Sequence, residues 1–205
     1  MTIRFHRNDL PDLSNYRVAA IAIDTETLGL DPHRDRLCVI QISPGDGTAD
    51  VVQIAPGQRA AANLGSLLSD PSITKIFHYA RFDVAVLEHA FGIMPQPVFC
   101  TKIASRLTRT YTDRHGLKDL CAELLGVSLS KAQQSSDWGA DQLSPEQLEY
   151  AASDVLHLHR LKDVLETRLA RENRSREAEA CFRFLPTRAR LDLMGWREED
   201  IFSHG

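Results

Sequence analysis

The chain has 205 residues, 43% of them hydrophobic and 25% charged, and its 28 acidic side chains against 24 basic ones give a formal net charge of −4. At about 150 residues per domain this is one compact domain with a short appendage, long enough to bury a core without staples. The acidic balance excludes a nucleic-acid binder working by bulk electrostatics, and cysteines at 38, 100, 121 and 181 without C-x-x-C spacing argue against a zinc ribbon or a secreted disulfide framework.

In chain order, the charged start MTIRFHRNDL has no apolar h-region and does not read as a signal peptide. No apolar run reaches the ~18 residues that span a bilayer, so a soluble, cytoplasmic protein with no membrane contact is expected. Residues 18–24 (VAAIAID) predict a buried strand and 37–43 (LCVIQIS) a second, closed by the turn Pro44-Gly45-Asp46-Gly47. Residues 50–54 (DVVQI) predict a third, giving an antiparallel meander. A helix over 58–68 precedes a strand at 74–78, and a helix over 82–91 stops at Gly92. Residues 95–99 lead into a short strand. Helices over 102–107 and 117–125 follow, the second stopped by Gly126, and 127–143 is polar and irregular. Ser144-Pro145-Glu146-Gln147 starts a helix, with Ser as cap, Pro first and Gln third, running to about Leu169. RENRSR (171–176) is a charged break, and a last helical region, 177–193, is interrupted by Pro186. Meander strands followed by strand–helix units predict an α/β fold, a mixed sheet flanked by helices.

The acids are the most informative feature. Asp24 and Glu26 end the first strand, and side chains at i and i+2 point to one face. Two carboxylates side by side there repel each other unless a cation neutralises them. Asp83 lies in the first turn of the helix after the fourth strand, where the helix dipole favours an anion. Tyr150 and Asp154 are four residues apart on the Ser144 helix and share a face, with small Ala151 and Ala152 between them. Each piece alone has a bland reading: a solvated loop pair, a first-turn acid, a buried phenol beside a surface charge. Together, four carboxylates from three elements are what two hard cations, Mg²⁺ or Mn²⁺, require for phosphodiester displacement.

The motifs AIDTETLGL (22–30), FHYARFD (77–83) and LEYAASDV (148–155), with HGLKDL (115–120) and KAQQSSDW (131–138), resemble the DEDD superfamily of 3′→5′ exonucleases, in its tyrosine-bearing branch, and most closely ribonuclease D. The likeness covers about residues 18–165. It implies a ribonuclease H-like exonuclease fold over 1–170 and a helical tail over 171–205, with no room for the HRDC domains of ribonuclease D. Cys100 stands where ribonuclease D usually has Asp. Size and tail resemble the short NanoRNase C enzymes, which degrade oligoribonucleotides, including dinucleotides, to mononucleotides. That likeness implies a homo-octamer. Phe182, Phe184, Leu185, Leu191, Leu193, Met194 and Trp196 make the tail apolar, which fits either assembly or packing back onto its own domain.

On this resemblance, Asp24, Glu26 and Asp154 hold the metal on the nucleophile side, and Asp24 and Asp83 hold the one on the leaving-group side. Tyr150 orients the attacking water, because a phenol of pKa near 10 is a poor base at neutral pH. Thr27, Leu28, Gly29 and Leu30 follow the acid pair and can contact the terminal nucleotide, with a leucine as wedge; core or loop packing is the plain alternative. His78 and Phe82 offer stacking surfaces, against the alternative of a buried, bonded histidine. Lys131, Gln134, Ser136 and His115 are candidate phosphate contacts, and Trp138 an anchor for its loop. The partner expected is short single-stranded RNA, with DNA as a side substrate. The rivals are a DNA repair or proofreading exonuclease, which predicts a polymerase domain or a basic groove, and a non-catalytic binding protein, which predicts loss of a metal carboxylate.

Overall fold

The computed structural model describes residues 2–130, 132–133 and 135–204. Among them, six strands, β1 (Thr2–Arg7), β2 (Ala20–Thr27), β3 (Leu37–Ser43), β4 (Thr48–Gln53), β5 (Thr74–Phe77) and β6 (Val98–Cys100), form one sheet in the order β1-β4-β3-β2-β5-β6. β2, β3 and β4 pair antiparallel, the expected meander, and β5 and β6 add on parallel to β2. All seven residues of β3 are buried, as its nearly unbroken apolar run requires. The helices are α1 (Ala62–Ser69), α2 (Ala80–Phe91), α3 (Thr101–Thr108), α4 (Leu117–Leu120), α5 (Pro145–Leu156), α6 (Leu158–Arg171) and α7 (Ser175–Leu191). This is the predicted mixed sheet flanked by helices. No described helix is long and apolar enough to cross a membrane.

The topology positions the site. β2 and β5 are parallel neighbours, so their carboxyl ends lie side by side. Asp24 and Glu26 are at the end of one, and the chain leaving the other runs through His78 into α2 and Asp83. α5 packs across β2, β3 and β4 and carries Tyr150 and Asp154 to the same edge. Its start is fixed as predicted: Ser144 Oγ accepts from the Gln147 amide at 3.2 Å, and Gln147 Oε1 accepts from the Ser144 amide at 2.9 Å.

Several expectations are corrected. The N-terminal segment is an edge strand, β1, parallel to β4. Its apolar content is too low to signal a strand, and it is held by charge: buried Asp50 on β4 accepts from Arg4 Nε (2.8 Å) and Nη2 (2.7 Å), from His6 Nε2 (2.6 Å) and from the Tyr16 hydroxyl (2.5 Å). α1 begins at Ala62 rather than 58, because its free amides at Asn63 and Leu64 are met by the distant Asp9 carboxylate at 2.9 Å. The single helix predicted from 144 to 169 breaks at His157 (φ −106°, ψ −7°) without Gly or Pro to mark it, and the new direction buries Leu158, Leu161, Leu165 and Leu169. The helix over 117–125 widens into a π-helical turn at Cys121–Leu125. Pro186 does not interrupt α7: burial of Phe182, Leu185 and Ala189, where α7 packs on α2 and β6, outweighs the missing backbone bond.

Cys38, Cys100 and Cys121 are buried free thiols, whereas Cys181 on α7 is exposed.

Replacing Asp50 with Ala strands the cationic and phenolic donors of Arg4 and Tyr16. A loss of about 3 kcal/mol in urea unfolding is expected, with faster amide exchange in β1.

Candidate active site

Strand alternation divides the Asp24-Thr25-Glu26 tripeptide between the two faces of the sheet. Asp24 and Glu26 face α5, where their carboxylates meet that of Asp154, the three offering oxygens within 4.8 Å of one another. Thr25 faces the opposite way and donates from Oγ1 to Asp83 Oδ1 at 2.7 Å. Asp83 is buried in the first turn of α2 and lies outside that tight group of three, yet close enough for its charge to act on Asp24 and Glu26.

Like charges in a poorly solvated place hold on to protons. Burial, then Asp83, Asp154 and Glu26, push Asp24 well above the usual carboxylate range. Burial, then Asp154 and Asp83, raise Glu26 to about 9. Burial lifts Asp154 to about 7 against a lowering hydrogen bond from Tyr150, and Asp83 to about 7 against the Thr25 hydroxyl. The phenol of Tyr150 is driven up by burial and by the charges of Asp154, Glu26 and Asp24, so it keeps its proton and donates to Asp154. The donor set is hard, anionic and crowded, and it fits a hard divalent cation.

Asp24, Glu26, Tyr150 and Asp154 line a cleft of about 330 Å³. It is also lined by His78, Tyr79, Lys102, Leu117, Lys118 and Ser130. His78 Nδ1 lies 2.9 Å from Thr101 Oγ1, and burial, aided by the charge of Lys102, pushes the imidazole down to about 3, so it is neutral. Tyr79 has left-handed backbone (φ 69°), a strained conformation for a residue other than glycine. The ammonium of Lys102 sits 4.3 Å over its ring.

The other sequence candidates are distributed around this cleft. Thr27 Oγ1 donates to the Gly29 carbonyl. A Cβ on Gly29 would press on the Asp35 carboxylate, which would have to shift to make room for it. Leu28 and Leu30 are 52% and 68% exposed, which excludes core packing. Phe82 is not among the residues lining this cleft; it lines a small hollow with His33 and Asp192. His115 Nδ1 is 2.9 Å from Ser105 Oγ, one residue before the wall residues Gly116 and Leu117. Ser136 Oγ donates to Gln133. Trp138 is buried with its ring 6.0 Å from that of Tyr150. Lys131 and Gln134 lie outside the described residues.

Sequence reasoning missed five residues: Thr25, Gln41, Tyr79, Lys102 and Lys118. Gln41 stands directly across from Asp24 in the β2–β3 register, fully buried, its amide without a partner among the described residues. A lone amide inside an apolar strand was a readable signal for it. Nothing local pairs Thr25 with Asp83, or Lys102 with the cleft, because those neighbours meet only across the folded sheet.

A family model described as a 3′-5′ exonuclease matches residues 9–170. Ribonuclease D of Gluconacetobacter diazotrophicus is 38% identical over 154 residues, which is 75% of this chain and 39% of the relative. The chain thus spans about two fifths of the length of that curated relative. Solved structures of Brucella melitensis NrnC, with bound Mg²⁺ and with bound pGG, are 74% and 75% identical at TM-scores of 0.97 and 0.98, each covering 100% of both chains. Escherichia coli RNase D, described as an exoribonuclease involved in structured RNA processing, is 28% identical at a TM-score of 0.75, over 86% of this chain and 46% of its own.

The raised acids make a signed prediction. Between the ordinary carboxylate value near 4 and the folded values of about 7 to 9, the folded state binds more protons than the unfolded one. Cation-free stability therefore falls as pH rises through that window. Calorimetry in EDTA should give a higher Tm near pH 5.5 than near pH 7.5. Mg²⁺ should raise Tm more at the higher pH. Asp154→Asn should raise the EDTA value and shrink the Mg²⁺ shift.

Proposed function

As the chain belongs to the 3′-5′ exonuclease family, of the DEDD ribonuclease D type, we propose that it is a divalent-metal-dependent 3′→5′ exoribonuclease. It removes nucleoside 5′-monophosphates from short oligoribonucleotides, dinucleotides included. The observation that carries this reading is the convergence of Asp24, Glu26 and Asp154 within 4.8 Å, beside Tyr150 at an open cleft. The Mg²⁺ and pGG bound to the Brucella melitensis relative support the metal and the substrate class. We assign residues 1–170 to the exonuclease domain and 171–205 to a helical tail.

Asp24, Glu26 and Asp154 would hold one cation, and Asp24 with Asp83 a second. Bound there, Mg²⁺ or Mn²⁺ would neutralise charge at the phosphate and acidify a water. The remaining steps belong to the protein. Tyr150, protonated and hydrogen-bonded to Asp154, orients the attacking water rather than removing its proton. Thr25 fixes the Asp83 carboxylate through its hydroxyl. Water adds to the terminal phosphorus, the preceding nucleotide leaves through its 3′ oxygen, and a 5′-phosphomonoester is released. Leu28 and Leu30 on the 28–36 loop contact the terminal base. Lys102 and Lys118, which line the same cleft as the acids, meet phosphate oxygens that a chain of net charge −4 otherwise repels. Those local cations suit a substrate of few phosphates better than a long strand.

A 5′-labelled diribonucleotide and a 20-mer, each in ribo and deoxy form, with Mg²⁺, Mn²⁺ or EDTA, test the reading. Preference for the diribonucleotide and silence in EDTA are expected, and turnover that survives EDTA removes the metal-dependent mechanism. Asp83→Asn should lower kcat by about 10³-fold or more without loss of fold. Tyr150→Phe should lower kcat about 10²-fold with KM nearly unchanged.

A further inference from the structure

The family model ends at residue 170, yet four hydrogen bonds, grouped in three ties, join the chain beyond α7 back to the site. Asp192, nearly buried, accepts from Arg81 Nε at 2.5 Å and Nη2 at 2.7 Å, a bidentate pair. Arg81 Nη2 also donates to the Arg197 carbonyl at 2.5 Å. On its other side Asp192 pairs with Arg188 of α7 at 2.8 Å, and Arg188 donates in turn to the Trp196 carbonyl. The third tie reaches the loop that carries Leu28 and Leu30. His33 Nε2 lies 2.9 Å from the Leu193 carbonyl, and a carbonyl only accepts, so this nitrogen bears the proton. The His33 ring also stands edge-on to His89 of α2 at 4.8 Å.

Arg81 is two residues from Asp83 and two from Tyr79, whose left-handed backbone is a conformation that surrounding contacts must hold. The tail therefore grips the start of α2, where an acid of the site sits, and the loop at the 3′-end subsite, at the same time.

We propose that residues 192–197 are a brace for the active site, and that Asp192 is a positioning residue that fixes the start of α2 and, through the backbone at Leu193, the 28–36 loop. The inference rests on the exonuclease reading only for its kinetic effect, because the brace itself is a statement about order in two segments. Misplacement of a substrate-contacting loop acts mainly on binding, and misplacement of an acid at the site acts on turnover.

The test compares Asp192→Asn, Asp192→Glu and His33→Ala in the full chain by amide hydrogen exchange, and by kcat and KM on the dinucleotide pGG with Mg²⁺. Asp192→Asn is expected to speed exchange in both 28–36 and 79–84, to raise KM about tenfold and to lower kcat. Asp192→Glu should recover most of the loss. His33→Ala should loosen 28–36 alone and raise KM with kcat nearly intact. Unchanged exchange in both segments of Asp192→Asn overturns the brace, whatever its activity. Should that variant fail to fold, unchanged exchange at 28–36 in His33→Ala overturns it instead. Wild-type protein inert on pGG would refute the substrate reading, while the exchange data still decide the brace.

Discussion

Repulsion among carboxylates that the fold will not let separate is the constraint on which the rest of this molecule depends. The end of a central strand is an expensive place for two acids, and α5 brings a third against them while α2 keeps a fourth within range. The surrounding structure has to hold these groups against their own charge. The capped start of α5, the parallel pairing of β2 with β5 and the Thr25 hydroxyl on Asp83 all contribute to that. Positions where crowded like charges cost stability are those where a cation or a developing charge would be bound most strongly.

The division of labour across β2 follows from its pleat. Alternate side chains work on opposite faces, so a strand of ordinary length serves a cleft on one side and a buried support on the other. The sequence made the first half of this visible. The i, i+2 spacing of Asp24 and Glu26 and the i, i+4 spacing of Tyr150 and Asp154 are local, and local spacing is what periodicity encodes. The support was invisible for the opposite reason: Thr25 meets Asp83 across 58 positions, and Asp192 meets Arg81 across 111. The Gln41 amide across from Asp24 sits between these cases, since a polar residue within a buried strand is a local anomaly whose partner is not local.

The same distinction sorts the fold. The meander, the two helices stopped by Gly92 and Gly126 and the capping box were legible because turn and cap chemistry is written in adjacent residues. β1 was not, since its docking rests on ion pairs to Asp50 rather than on an apolar stripe. Nor was the bend at His157, which serves packing and has no breaker residue. Pro186 misled in the other direction: a residue that ends exposed helices is carried by a helix whose buried side holds it in place.

The distribution of thiols has a practical consequence. Burial pushes Cys38 to about 11 and Cys121 to about 12, and raises Cys100 as well, which withdraws three of the four from reaction with electrophiles. Cys181 alone is on an exposed face, along the outer helix that leads to the C-terminal segment. A maleimide fluorophore would therefore attach at one place in the unaltered chain and report on motion of that helix without an engineered handle.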